Sequence, residues 1–134
     1  MKTNIRLYAL ILALFPLAVS CKKDDNGTQN LPTEIVIQMP TAGQIVLNGT
    51  NLRVEGTVTD NNVIANVTLQ IRNKTTGAVL YASTVPTANV TFVRYIYNWT
   101  VSGITTQTVA TVKVTGRDVG GNEGFKEVDV TLEP

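Results

Sequence analysis

Three sets of side chains in this chain could do chemistry. The first is Cys21, the only cysteine; once deprotonated, a thiol of this kind is a nucleophile and can be acylated or alkylated. The second is Asp60 with Asp118 and Asn122, whose oxygens suit a hard cation such as calcium, which takes six to eight of them. The third is the run Tyr95, Tyr97 and Trp99, with Tyr81 as a further member, whose flat rings could stack on sugars.

The absences restrict the chemistry further. The chain has no histidine, so it lacks the commonest general base and the commonest metal ligand. Past Cys21 the serines are Ser83 and Ser102, and neither sits in a Gly-x-Ser-x-Gly turn. No Gly-x-x-x-x-Gly-Lys phosphate cradle occurs. Catalysis would have to run on carboxylates alone, drawn from Glu34, Glu55, Asp60, Asp118, Glu123, Glu127, Asp129 and Glu133, most of them in expected turns or on solvent faces. A domain of about 100 residues leaves little room for a substrate cleft between two such groups. The expectation is a protein that is not an enzyme and needs no cofactor, with calcium as the one candidate ion. Net charge is +1 and the basic residues are scattered, which gives no nucleic-acid surface.

The segment around Cys21 has its own logic. Lys2 and Arg6 precede an apolar run of about 13 residues, Leu7 to Val19, closed by Ser20. This is the layout of a secretory signal. It is shorter than the roughly 20 residues that span a bilayer as a helix, and Pro16 would break such a helix. Residues Leu17-Ala18-Val19-Ser20-Cys21 resemble a lipobox, and Lys22-Lys23-Asp24-Asp25 behind them resembles the start of many Bacteroidetes lipoproteins, where such a run acts as a surface-export signal. The resemblance implies cleavage before Cys21 (signal, residues 1–20), a diacylglycerol on its sulfur, and residence on the outer membrane, surface-exposed in the fuller form of the expectation. One acyl chain binds reversibly at about 0.8 kcal/mol per methylene, whereas two or three hold permanently. The alternative is an ordinary secretory signal with an incidental cysteine. Residues 21–33 then read as the lipidated cysteine and a polar tether.

From Glu34 to Pro134 the chain reads as strand after strand, rich in valine and threonine and punctuated by turn residues every 8 to 12 positions or so. Expected strands run over 34–39, 51–59, 65–73, 78–85, 91–101, 108–116 and 125–132, with a short edge segment at 44–47. Turns are expected at Asp60-Asn61-Asn62, Asn73 to Gly77 and Val119 to Asn122, and Pro86 is expected to stop a strand. The segment 91–101 has two partly apolar faces: Val93, Tyr95, Tyr97, Trp99 and Val101 on one, and Phe92, Arg94, Ile96, Asn98 and Thr100 on the other. If the first face is core, the rings fill it, as large aromatics usually do. If the second is core, the rings form an exposed platform. Asp60, Asp118 and Asn122 likewise have a plain alternative as turn formers. The Asn-x-Thr triplets at Asn26, Asn48, Asn66, Asn73, Asn89 and Asn98 are expected in a Thr- and Asn-rich β sequence.

Seven short strands in about 100 residues predict an all-β, immunoglobulin-like or fibronectin-like antiparallel sandwich. Leu-x-Val-x-Gly-x-Val-x-Asp at Leu52 to Asp60, Val-x-Leu-x-Ile at Val67 to Ile71, and Val-x-Val-x-Gly-x-Asp-x-x-Gly-Asn at Val112 to Asn122 resemble bacterial Ig-like domains. The fold hosts many tasks, so function divides into two expectations. One is a lipid-anchored adhesion or assembly module that docks an envelope protein. The other is a glycan-binding accessory lipoprotein of a polysaccharide-uptake system, using Tyr95, Tyr97 and Trp99.

Overall fold

The computed structural model describes residues 31–134. The leader, Cys21 and the tether up to Asn30 lie outside the described residues. Six strands follow in order: β1 (Glu34–Met39), β2 (Ile45–Leu47), β3 (Asn51–Asn73), β4 (Val79–Thr100), β5 (Thr108–Asp118) and β6 (Glu123–Glu133).

The protein is an all-β sandwich, and its two layers share their longest strands. In one layer β1 and the second half of β4 flank the first half of β3, with Ile35 opposite Val58 and Tyr97 opposite Val54. In the other layer the second half of β3 lies between β5 and the first half of β4, with Leu69 opposite Val114 and Ser83. β6 continues that layer antiparallel to β5, and β2 closes it in parallel.

The seven-strand expectation is corrected at two places. Segments 51–59 and 65–73 are one strand of 23 residues, and 78–85 and 91–101 belong to one strand of 22 residues. Asp60-Asn61-Asn62 does not end β3. The ladder slips between Thr59 and Ile64 and again before Asn66, so the polar triplet makes an irregularity at which the strand changes layer, as bulges do at sandwich corners. Pro86 likewise does not end β4. Among the described residues the strand pairs with β3 alone, on one side, and a proline, which lacks an N–H, is tolerated on such an edge.

Alternation of side chains predicts the core well. Leu52, Val54 and Val58 of β3, Val67, Leu69 and Ile71 further along it, and Ala110, Val112 and Val114 of β5 are all almost fully buried. Gly56 is required at its place. A Cβ there would strike the Val36 carbonyl oxygen and the Tyr95 hydroxyl, because the Tyr95 ring lies across the glycine from the facing position of β4. The layers also meet at Gly116, where an added Cβ would stand 2.7 Å from a Val58 methyl.

Candidate functional site

Tyr95, Tyr97 and Trp99 project inward from β4, at 5%, 6% and 8% exposure. The rings therefore fill the core, the first of the two arrangements open to 91–101, and do not form an exposed platform. The three residues sit opposite Gly56, Val54 and Leu52 of β3, and these small or aliphatic partners leave the rings room in the core. Trp99 stacks on Tyr81 with centroids 5.7 Å apart. The Tyr95 hydroxyl donates to the Val36 carbonyl at 2.9 Å, and the Tyr97 hydroxyl donates to the Val67 carbonyl at 2.7 Å. Each buried phenol thus has a partner, which is the condition for burying one without penalty. Burial, and then the neighbouring Tyr81, push the Tyr97 phenol up to about 12; burial and Tyr97 push Tyr95 in the same direction.

The acidic cluster comes together at one end of the sandwich. Asp60 accepts from the Thr33 hydroxyl at 2.6 Å and from the Asn62 N–H at 2.8 Å. Asp118 accepts from the Asn122 N–H at 2.7 Å, from the Asn122 side-chain amide at 2.9 Å and from the Asn62 side-chain amide at 3.2 Å. Asn62 therefore links the β3 irregularity to the β5–β6 turn, and the Val119 N–H, which donates to the Val63 carbonyl at 2.9 Å, ties them again. In that turn Gly121 has a φ of +89°, open to glycine and strained for most other residues. Burial works against the charge on Asp118, but the hydrogen bonds outweigh it and hold its carboxyl below the usual range. The carboxylate oxygens are occupied by N–H and O–H donors, which is turn scaffolding. Among the described residues no group of three or more acidic, histidine or cysteine ligands converges.

The sequence reading passed over the surface that the fold leaves open. A groove of about 370 Å³ lies along β4 where its two halves meet, lined by Val85, Pro86, Val90, Phe92 and Ile96, with Arg94 beside them. Phe92 is 58% exposed, and Val85, Val90 and Ile96 are exposed as well. Two signals for it were present. Pro86 inside an otherwise regular strand marks an edge, and the second apolar face of 91–101 had to go somewhere.

No family model matches this chain. No curated protein matches it either. Solved structures do resemble it. Fibronectin(III)-like modules of CbhA from Clostridium thermocellum match with a TM-score of 0.55 and 14% identity, over 77% of this chain and 47% of that one. This chain thus spans about half of that structure. A Niemann-Pick type C2 protein from the Japanese carpenter ant matches with a TM-score of 0.51 and 8% identity, over 79% of this chain and 96% of that one. At such identities the likeness speaks for the fold, a β-sandwich of the fibronectin-like kind, and for nothing finer.

Proposed function

We propose that this protein is a non-catalytic, lipid-anchored envelope lipoprotein whose Ig-like domain binds another protein. The observation that carries the binding half is the free side of β4: a long strand paired on one side only, with exposed apolar side chains along it. Contiguous exposed apolar surface on a small domain marks an interaction site, and a bare sheet edge favours a protein strand as the ligand. The glycan alternative loses its support, because the rings it needs are core residues.

The anchor half rests on the leader and Cys21, and on their resemblance to Bacteroidetes lipoproteins with outer-membrane, surface-facing attachment. Replacing Cys21 with Ala is expected to release the protein from membranes, read by fractionation after a carbonate wash; a variant that stays membrane-bound sinks the anchor. Binding is tested in cells with a photo-crosslinking amino acid placed in turn at Val36, Ile45, Ile96 and Phe125, all exposed and on four different strands. A discrete heteromeric adduct at any of them is expected. Silence at all four would overturn the interaction reading.

A further inference from the structure

We infer that the stretch of β4 from Phe92 to Thr100 receives an extended strand of a partner protein, one with apolar side chains at alternate positions and a carboxylate opposite Arg94. This rests on the interaction reading above and names the surface and the partner's chemistry.

The backbone comes first. Val101 donates its N–H to the Thr50 carbonyl at 2.9 Å, and its carbonyl accepts from Gly49 at 2.7 Å, so its polar groups face β3. Backbone direction alternates along a strand. The N–H and C=O groups of Phe92, Arg94, Ile96, Asn98 and Thr100 therefore point away from β3, to a side where no strand among the described residues stands. Such a row is a template for a further strand unless something blunts it. β4 is interrupted near its middle, by Pro86, by the slip in register and by Asn89 at a φ of 50°, and its register slips again at its start between Val79 and Tyr81, but it is regular from Phe92 to Thr100. Between Phe92 and Thr100 there is no proline, glycine or lysine, and Arg94 is the sole charge.

The side chains narrow the choice of partner. Phe92 and Ile96 stand exposed on either side of Arg94 and border the groove, which suits apolar residues four positions apart on an incoming strand, with the residue midway between them opposite Arg94. Arg53 holds Glu55 with two nitrogens, at 2.7 and 3.0 Å. Arg94 reaches the same carboxylate oxygen only at 3.8 Å, with its side chain 63% exposed. Two guanidiniums share one carboxylate, which leaves a positive charge on the rim. A partner carboxylate would balance it, and a partner lysine would be repelled. The same charge disfavours a second copy of this chain. An antiparallel self-pair that sets Phe92 against Ile96 is centred on Arg94 and brings the two guanidiniums face to face, a destabilising arrangement.

The test uses the full chain and three synthetic peptides of about ten residues, a length matched to this edge at roughly 3.3 Å per residue. Each peptide carries valine, isoleucine and tyrosine at alternate positions and differs only at its centre: Glu, Ser or Lys. The Glu peptide is expected to bind at least about tenfold more tightly than the Lys peptide, a difference of about 1.4 kcal/mol, and to slow amide hydrogen exchange at Phe92, Arg94, Ile96 and Asn98. Arg94→Glu, its folding checked by the fluorescence of Trp99, is expected to reverse the preference. Equal affinity for all three peptides, protection along β1 or β2 instead, or a concentration-dependent dimer protected at the same four amides would each overturn the inference. So would no binding at millimolar peptide. If that failure accompanies a crosslink at Val36, Ile45 or Phe125, the domain is an interaction module that uses another face. If it accompanies silence at all four positions, both readings fall.

Discussion

β3 and β4 are nearly equal in length, lie side by side, and cross from one layer of the sandwich to the other at the same level. They nevertheless do opposite things. β3 is paired on both sides, with β1 and then β5 beyond it, and its inward positions from Leu52 to Ile71 are almost fully buried. Among the described residues β4 is paired on one side. Its second half presents Tyr95, Tyr97 and Trp99 fully to the core, whereas in its first half Leu80 and Tyr81 are only partly buried against it and Ser83 sits opposite Leu69. Two strands of similar length thus became a structural spine in one case and an open edge in the other. Neighbours decide which, because propensity measures fit to a surface that the neighbours supply.

The sharpest way to break that contrast is to compare truncations on the two strands. Leu69→Ala removes a fully buried side chain from β3 and is expected to cost about 3 kcal/mol of stability in urea unfolding. A loss under about 1 kcal/mol would mean that β3 is not the spine. Gly56→Ala is expected to cost about 2 kcal/mol, as overpacking does, since the new methyl meets the Val36 carbonyl and the Tyr95 hydroxyl; Tyr95→Phe in the same background should recover part of it, read as a shift in the unfolding midpoint.

Tyr97 sharpens the comparison through pH. Its folded-state value is raised, so the native state keeps the phenol proton that the unfolded chain gives up near 10. Its contribution is therefore complete below pH 10 and is lost as pH rises toward 12, by about 2 kcal/mol at most. Tyr97→Phe should flatten that alkaline limb of the stability profile; an unchanged limb would mean the hydroxyl is not held in the core. The smallest effect is expected on the other face of the same strand. Ile96→Ser should change stability by less than about 0.5 kcal/mol, as exposed substitutions do, while weakening the binding of the Glu-centred peptide. A loss above about 1 kcal/mol would show that this face is already covered.

The inward residues of β3 and β5 were legible in the sequence because a period of two, once one face is apolar, permits only one orientation. The aromatic run was not. Val93 to Val101 and Phe92 to Thr100 are both apolar enough to be core, and the choice turned on Gly56 and Val54, which lie about 40 residues away and clear space for Tyr95 and Tyr97. The polar triplet at Asp60 was misjudged as a chain reversal for a related reason. Turn residues lower the cost of irregular backbone, but whether the chain reverses or merely slips depends on its partners. Here Thr33, Asn62 and Asp118 hold the slip in place.

The sequence by itself determined an all-β domain, the alternation of its core strands, and the lack of histidine and of thiols past Cys21. These follow from composition and from patterns within a few residues of one another. Only the tertiary structure decided that four expected strands are two, that the aromatic stripe is core, that Asp60 and Asp118 serve one scaffold, and that β4 ends with a bare edge. Each of those depends on which strands become neighbours, and neighbours in a sandwich are set by contacts between residues far apart in the chain.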